Sequence, residues 1–339
     1  MKITAKLSRR TLGAACLAAL VALSGCGKEE AKPAAGTAAA ASEPIPIGIV
    51  QLVEHDALDA AVRGIVDGLA ERGWKDGEKI KIDRQNAQAD QSNLRNIATR
   101  FVSDKDRIIF AVATPAAQSM ATAARDTPIV ATAITDFVSA KLVKSDEAPG
   151  GNVTGVSDLG PIEEQFKLLM KLVPNAKTIG TIYNSSEINS AYQVELLKAA
   201  AKKAGITVLE ATVSNVNDIQ QAANSLIGKV DGLYLPTDNV IASAVPALVK
   251  VTNPAKIPTV AGEIGMVSNG LLGSVSVDYY ELGKMTGRMG ADILEGKAKP
   301  ATMPVQHVKE GQLVFNLKAA KAIGFEVPAD LLKNAKTFE

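Results

Sequence analysis

Short apolar runs alternate with longer amphipathic segments along most of the chain. In the first half, the pattern predicts strands at Ile47–Val53, Ile80–Asp83, Arg107–Ala113 and Pro128–Ala133. The segments between them predict helices at Ala57–Arg72, Gln91–Ser103 and Pro115–Ala124. Continuous apolar runs separated by helices indicate a parallel sheet that is covered on both faces. We therefore predict an α/β fold.

The second half repeats this order of elements. It predicts strands at Thr178–Tyr183, Ile206–Ala211, Gly232–Pro236 and Pro258–Ala261. Helices are predicted between them at Ala191–Ala204, Asp218–Ile227 and Val240–Val251. The run PIVATA in the first half corresponds in role to IPTVAG in the second. Such self-similarity on the scale of a domain predicts two related lobes.

The connections between the halves predict a hinge. A Gly-rich segment, Pro149–Gly160, passes from one half to the other, and the helix Pro161–Leu172 follows it. A later helix, Asp278–Glu295, and a strand-helix piece, Gln312–Ala322, follow the two complete repeats, and this indicates that the chain passes back to the first lobe before it ends. We expect lobe 1 at residues 45–157, completed by about 266–303, and lobe 2 at 158–265, completed by about 304–335. Several crossing segments between two lobes make a hinge.

The N-terminus has the features of a bacterial export signal. Basic residues up to Arg10 precede an apolar region, Leu12–Leu23, that is too short for a permanent membrane span. The following Leu-Ser-Gly-Cys resembles a lipobox, which predicts a signal peptide at 1–25 and lipidation of Cys26; a simple signal peptide with an incidental Cys is the alternative. Residues 26–44 have the composition of a flexible tether. We expect an exported protein anchored to a bacterial membrane, in the periplasm or on the outer face of the cytoplasmic membrane.

Composition argues against several function classes. The first 25 residues carry four basic residues and no acid, so the remaining chain has a net charge of −3. A near-neutral chain without basic runs argues against nucleic acid as a partner. Beyond the signal peptide the sequence has one Cys and two His residues, so we expect no disulfide, no metal centre and no cofactor. It contains no G-x-S-x-G, P-loop or G-x-G-x-x-G motif, and we predict no enzyme.

Candidate ligand-binding residues follow the predicted strands. The stretch YNSSEINS, Tyr183–Ser190, lies between a strand and a helix, where open α/β sheets bind ligands. The ligand-binding candidates of this stretch are Tyr183, Asn184, Ser186 and Asn189. Those after the other strands are His55, Asp56, Thr114, Thr135, Asp136, Asp238, Asn239 and Glu263.

Each candidate also has a structural interpretation. Most of the polar residues are suited to capping the helix that follows, and Glu263 is suited to stabilising a helix macrodipole. Tyr183 is suited to core packing as well as to stacking on an aromatic ligand. The pair His55 and Asp56 suggests acid–base chemistry. Since no nucleophile motif accompanies it, we favour a hydrogen-bonding role in a cleft.

A set of motifs in order along the chain resembles a known family. HDALDA, ATPAA, ITDFVSAKLV, GNVTGVSD, YNSSEINS, LPTDN and DYYELG together resemble an ABC-transporter substrate-binding protein family whose characterised members bind tryptophan or tyrosine. The resemblance implies the type I periplasmic binding fold, with two flavodoxin-like lobes around a hinged cleft. The family tends to have Pro where this chain has Asp56 and Phe137, which leaves a difference in specificity open.

The resemblance also implies roles for three residues. Thr114 and Thr135 match positions in the first lobe that bind a ligand carboxylate, and Glu263 matches the acid that neutralises a ligand ammonium. This assignment agrees with electrostatics, because a zwitterion that leaves water needs both of its charges paired.

These observations predict a lipid-anchored solute-binding protein of an ABC importer. It would bind a small ligand, an α-amino acid with an aromatic side chain as an open option, by closing its lobes, and then dock as a monomer on a membrane permease. A sensory lipoprotein is the alternative within the binding class. An exported enzyme on the same fold is a further alternative.

Overall fold

The computed structural model describes residues 43–308 and 311–339. The predicted signal peptide, Cys26 and the tether up to residue 42 lie outside the described residues. In the ranges that are described, no helix has the length and apolar character needed to cross a membrane.

The elements alternate between strand and helix for most of the chain. The strands are β1 Ile45–Gln51, β2 Ile80–Asn86, β3 Ile109–Val112, β4 Ile129–Ile134, β5 Val153–Ser157, β6 Thr178–Asn184, β7 Thr207–Val213, β8 Gly232–Leu235, β9 Thr259–Ala261, β10 Gly273–Ser276, β11 Gln306–His307, β12 Gln312–Asn316 and β13 Lys336–Phe338. The helices are α1 Asp56–Glu71, α2 Gln91–Ser103, α3 Thr114–Ala123, α4 Ile162–Leu172, α5 Ile188–Lys203, α6 Ile219–Leu226, α7 Asn239–Ser243, α8 Val245–Thr252, α9 Ile264–Ser268, α10 Tyr279–Leu294, α11 Leu317–Ile323 and α12 Ala329–Leu332.

The first lobe is built on a parallel sheet with strand order β2-β1-β3-β4-β5-β11. Its central strands β3 and β4, IFAV and IVATAI, are buried along their whole length, as strands with helices on both faces must be. The predicted α/β class with parallel sheets is confirmed.

The second lobe repeats that arrangement. Its sheet has the order β7-β6-β8-β9-β10-β12-β13, and the first five strands correspond one by one to β2-β1-β3-β4-β5. These five strands pair in parallel, whereas β12 runs antiparallel to β10. The carboxyl ends of the parallel strands carry the loops that were predicted to hold the ligand-binding residues.

Three passages of the chain join the two sheets, and they differ in position from the expected boundaries. The chain leaves the first sheet after β5, returns after β10 and leaves again after β11. Residues 264–276 form α9 and β10 with the second sheet, whereas the sequence placed 266–303 with the first lobe. Strand β11 pairs with β5 in the first sheet, whereas 304–335 was expected in the second lobe.

Two local differences have clear physical causes. Strand β5 lies within the Gly-rich segment that was predicted to be only a connection. Gly155 in this strand faces the Ala131 carbonyl oxygen so closely that a Cβ atom would lie 1.9 Å from it, so this position cannot carry the apolar side chain that marks a strand. The predicted helix Val240–Val251 is divided into α7 and α8 around Ala244, where Pro246 begins a new helical turn.

Helix α10 belongs to the first lobe although it follows the second lobe in sequence. It packs on α1 through glycines on both helices. A Cβ atom on Gly283 would lie 2.1 Å from the Ala61 carbonyl oxygen, and one on Gly64 would lie 2.1 Å from the Tyr280 carbonyl oxygen. The backbones of the two helices therefore touch, which fixes α10 as a permanent part of the first lobe.

Candidate ligand cleft

The carboxyl ends of strands from both sheets meet around one small cavity. We call it the cleft cavity; its lining residues are His55, Leu58, Ala133, Thr135, Asp158, Asn189, Thr237, Asp238, Asn239, Ala242, Glu263 and Tyr279. Its volume is about 10 Å³, which is room for about one water-sized group. The position is the one at which open α/β sheets bind ligands.

Six of the predicted residues lie together in this lining, namely His55, Thr135, Asn189, Asp238, Asn239 and Glu263. The other predicted residues do not line the cavity. Asn184 accepts hydrogen bonds from the Ser186 backbone and hydroxyl groups, and the Tyr183 hydroxyl donates to Glu210 at 2.8 Å. Asp136 accepts from the Ser139 backbone N–H within its own loop. That any of these residues binds a ligand stays a prediction.

Hydrogen bonds connect the two lobes across the cleft. The Gln193 amide donates to the Thr135 hydroxyl at 3.1 Å, and the Thr135 and Thr237 hydroxyl oxygens are 3.4 Å apart. His55 Nε2 lies 3.4 Å from Asn239 Oδ1. Sequence reasoning missed Gln193 and Thr237. The spacing of four between Asn189 and Gln193 was the available signal, because it places both side chains on one face of α5.

Asp56 makes a further connection between the lobes. Its Oδ2 atom accepts hydrogen bonds from the Ser268 hydroxyl at 2.8 Å and from the Asn269 amide at 3.0 Å, both at the end of α9. Phe137, the second position at which the resemblance implies Pro, is only 1% exposed and packs in the core of the first lobe. The two departures therefore have different structural settings.

Asp238 organises the loop after β6. Its Oδ2 atom accepts hydrogen bonds from the Asn184 backbone N–H and the Ser190 hydroxyl, both at 2.7 Å, and its Oδ1 atom caps α7 through the Ile241 N–H. Burial of the carboxyl group raises its pKa. Asp238 thus connects the ends of β6 and β8.

Glu187 lies next to Asp238, and sequence reasoning did not select it. Its Oε2 atom accepts hydrogen bonds from the side-chain amides of Asn239 and Asn189 at 2.5 and 3.1 Å. Burial, followed by the nearby Asp238 carboxylate, raises the pKa of Glu187. It belongs to the same YNSSEINS stretch as the predicted residues, so its place in that loop was the available signal.

Glu263 caps its own helix. Its two carboxyl oxygens accept hydrogen bonds from the backbone N–H groups of Gly265 and Met266 at the start of α9. Burial raises the pKa of this carboxyl group to about 7. These contacts agree with the structural interpretation, in which Glu263 stabilises the start of a helix. That Glu263 binds a ligand ammonium stays a prediction.

Asp158 is another buried carboxyl group of the cleft lining, and sequence reasoning missed it as a candidate. It lies immediately after β5, on the first passage between the lobes. Its Oδ2 atom accepts a hydrogen bond from the Tyr279 hydroxyl at 2.6 Å, whereas its Oδ1 atom is buried without a partner. Burial raises the pKa of Asp158 to about 6.

Helices α1 and α3 of the first lobe begin at the carboxyl ends of their strands, on the cleft side of the sheet. Helix α3 begins at Thr114 with Pro115 next to it; no side chain caps it, and the Thr114 hydroxyl is buried without a partner. Helix α1 begins after His55 and is likewise uncapped by a side chain. Burial lowers the pKa of His55 to about 4, so its imidazole is neutral at pH 7. Unpaired N–H groups and the helix dipole give this side of the cleft positive character.

The two sides of the cleft have opposite polarity, and this determines which kind of ligand the cleft can bind. Carboxyl groups from the second lobe and the first passage face helix N-termini and hydroxyl groups of the first lobe. In the part of the chain that the structure describes, no group of three His, Cys, Asp or Glu side chains is arranged to hold a metal ion. The arrangement is suited to a small molecule that carries charges of both signs.

A model of the ABC transporter substrate-binding protein family matches residues 46–338. The chain belongs to this family. The resemblance noted in the sequence is thereby confirmed, and the function class is that of a substrate-binding protein, not an enzyme. Substrate-binding proteins of ABC transporters act outside the cytoplasm.

Several relatives of this substrate-binding protein are known. A tyrosine-binding protein of Clostridioides difficile is 46% identical over 86% of this chain and 85% of the relative. The crystal structure of a Streptococcus pneumoniae ABC domain in complex with L-Trp is 43% identical, covers 87% of this chain and 99% of its own, and has a TM-score of 0.83.

A third relative was solved in another state. The ligand-free, open structure of a substrate-binding protein from Clostridium difficile is 44% identical, covers 87% of this chain and 99% of its own, and has a TM-score of 0.67. Its identity to this substrate-binding protein is almost the same as that of the L-Trp complex, while its TM-score is lower. The present arrangement of the lobes is therefore more similar to the ligand-bound relative than to the open one.

Proposed function

We propose that this protein is the lipid-anchored, extracytoplasmic solute-binding component of an ABC importer, and that its ligand is an α-amino acid with an aromatic side chain. The polarity of the cleft is the observation that carries the ligand class. Three buried carboxyl groups, Asp158, Asp238 and Glu263, line its second-lobe and hinge side, and the uncapped helices α1 and α3 begin at the carboxyl ends of first-lobe strands.

A free α-amino acid matches this polarity because it is a zwitterion. Its carboxylate is placed against the N-terminus of α3, with the hydroxyls of Thr114 and Thr135 as donors. Its ammonium is placed among the carboxyl groups on the other side. Pairing both charges offsets the cost of their desolvation, whereas a ligand with one charge would leave part of the cleft unpaired.

The relatives support an aromatic side chain on this ligand. The C. difficile relative is named as a tyrosine-binding protein, and the S. pneumoniae relative was crystallised with L-Trp. Both are more than 40% identical to this chain.

Closure of the lobes provides the mechanism of capture. In the arrangement described, polar groups of the two lobes bond directly across the cleft, and this arrangement is more similar to the ligand-bound relative. A ligand that contacts both lobes is bound better by the closed form than by the open form, so it shifts the population toward closure. The closed form then presents a continuous surface to a membrane permease.

Thermal unfolding with a panel of amino acids tests the ligand class. L-Trp and L-Tyr are expected to raise the midpoint of unfolding, since a ligand at 100 times its Kd stabilises the native state by about 2.7 kcal/mol. L-Glu and L-Lys serve as controls because each adds a net charge to the same backbone. If no amino acid raises the midpoint, the proposed ligand class is wrong.

Membrane fractionation tests the anchor. Cys26→Ser is expected to move the exported protein into the aqueous fraction, because the sulfur that would be lipidated is removed. Cys16→Ser is the matched control, since it changes the other cysteine of the chain within the predicted signal peptide. Equal membrane association of both variants would contradict lipidation at Cys26.

A further inference from the structure

Three polar atoms without a hydrogen-bond partner belong to residues that line the cleft cavity. They are Asp158 Oδ1, Asn189 Oδ1 and His55 Nδ1, and each is buried. Buried polar atoms in native proteins are almost always paired, so three such atoms around one cavity point to a ligand group that satisfies them.

The hydrogen-bond network assigns the role of the histidine atom. The Asn239 side chain donates from Nδ2 to Glu187, which leaves its Oδ1 atom facing His55 Nε2. An oxygen acceptor requires a hydrogen on Nε2, and the neutral imidazole then has its lone pair on Nδ1. All three unpaired atoms are therefore acceptors.

The three carboxyl groups of the cavity lining, and Glu187 beside them, differ in how their oxygens are used. The oxygens of Glu263 are both bonded to backbone N–H groups of α9, and those of Asp238 are both bonded to donors of the second lobe. Glu187 accepts three hydrogen bonds at one oxygen. Asp158 combines one oxygen held by the Tyr279 hydroxyl with one buried oxygen that has no donor.

We propose that Asp158, Asn189 and His55 form the subsite for the ligand's ammonium group, with Asp158 as its charged partner; this rests on the proposed amino-acid ligand. A primary ammonium carries three N–H donors, one for each of the three acceptors. The cavity has room for about one group of this size. Among the described residues, no Lys or Arg lines the cavity, so the ligand supplies the positive charge.

Tyr279 and the first passage fix the position of Asp158. The Tyr279 hydroxyl holds Oδ2, and the Asp158 backbone N–H donates to the Ile134 carbonyl oxygen at 3.0 Å. The titratable groups that share the cavity with Asp158 are His55, Asp238, Glu263 and Tyr279, and Glu187 lies behind Asn189 and Asn239. Among the acids that line the cavity, Asp238 and Glu263 have both oxygens bonded, so Asp158 is the one that has an oxygen left for the ligand.

A comparison of L-Trp with 3-indolepropionic acid, which lacks the amino group, tests this assignment by calorimetry. The wild-type protein is expected to prefer L-Trp by at least about 30-fold, because truncating one partner of a buried charge pair has an effect of this size. In Asp158→Asn this preference is expected to fall to within a few-fold. Glu263→Gln tests the competing assignment, in which Glu263 pairs with the ammonium, and Asp106→Asn is the control because Asp106 is a buried carboxyl group outside the cleft lining.

The outcomes separate the two proposals. Retention of the full preference in Asp158→Asn, or its loss in Glu263→Gln alone, overturns the subsite. Failure of the wild-type protein to bind L-Trp or L-Tyr overturns the proposed function and the subsite together.

Proton release on ligand binding can be measured with the wild-type protein alone, so this test does not require that the variants fold. Binding of L-Trp near pH 6, in two buffers with different ionisation enthalpies, is expected to release a fraction of a proton. The ammonium favours the ionised form of its carboxyl partner, so a protonated carboxyl group must lose its proton. Binding without proton release overturns the proposal.

Discussion

At the scale of single residues, buried carboxyl groups occur both inside and outside the cleft. Glu263 lies in the cleft lining, while Asp106 is 5% exposed just before β3 in the first lobe and outside that lining. Burial raises the pKa of each to about 7. A comparison of Glu263 with Asp106 therefore separates the effect of a buried carboxyl group on stability from its effect on ligand binding.

We predict that both groups make the empty protein less stable as pH rises. A carboxyl group with a raised pKa in the folded state binds its proton more tightly there, so its contribution is present below pH 4 and is lost as pH rises through about 7. Each titrating group contributes a slope of up to about 1.4 kcal/mol per pH unit. Asp106→Asn should flatten the dependence in urea unfolding between pH 4.5 and 7.5.

Asp106→Asn should leave the affinity for L-Trp unchanged, since the residue lies outside the cleft. His55 acts in the opposite direction: its pKa is lowered to about 4, so its contribution is lost as pH falls from about 6.5 through 4. Both proteins contain His55, so its contribution cancels when the free energies of unfolding of Asp106→Asn and the wild type are compared at the same pH. A slope that is unchanged in Asp106→Asn would contradict the prediction.

The sequence predicted many of the cleft residues but not the hydrogen bonds that they make. Thr135, Asp238 and Glu263 were predicted because each follows an apolar strand, and all three lie in the cavity lining. Asp158 follows a strand whose apolar pattern is interrupted by Gly155, so the same rule did not select it. Which oxygen stays free depends on partners distant in sequence, such as Tyr279 for Asp158, and a single sequence does not supply such pairs.

At the scale of elements, the contact between α1 and α10 depends on glycine. Gly64 and Gly68 on α1 face Gly283 and Gly287 on α10, each within contact of the other backbone. The spacing of four is visible in the sequence of both helices. That these two helices are partners was not predictable from local pattern, because about 200 residues separate them.

We predict that Gly283→Ala destabilises the protein by about 1–3 kcal/mol or more, because a Cβ atom 2.1 Å from the Ala61 carbonyl oxygen forces the helices apart. Gly151→Ala is the matched control, since no atom lies within 4 Å of the added carbon. Urea unfolding measures both variants. Equal free energies of unfolding for the two would show that the helix contact tolerates separation.

At the scale of the whole molecule, the lobes are held together by contacts across the cleft and by the passages of the hinge. The repeat of strand order was predictable from the repeated pattern of apolar runs. The boundaries were not, since α9, β10 and β11 are too short to show which sheet they join. The bonds of Asp56 to Ser268 and Asn269 depend on the relative position of the lobes.

We predict that Asp56→Ala shifts the empty protein toward the open form and weakens binding of L-Trp by up to about tenfold. The loss of two partly exposed hydrogen bonds is worth about 1 kcal/mol or somewhat more, and a smaller closed population lowers the apparent affinity. Small-angle X-ray scattering and calorimetry measure these two effects.

Asp67→Ala is the control, because Asp67 bonds to the Tyr280 hydroxyl within the first lobe. A radius of gyration and an affinity that are the same in both variants would contradict a role for Asp56 in closure.

The return of α10 to α1 also has a consequence for synthesis. A ribosome makes the first sheet early, yet the helix that covers α1 emerges only after the second sheet has been made up to β10. The second sheet in turn waits for β12, which follows α10. Neither lobe is a contiguous stretch of chain, so a nascent chain that stops before Tyr279 leaves both incomplete, with apolar and glycine-lined surfaces open to aggregation.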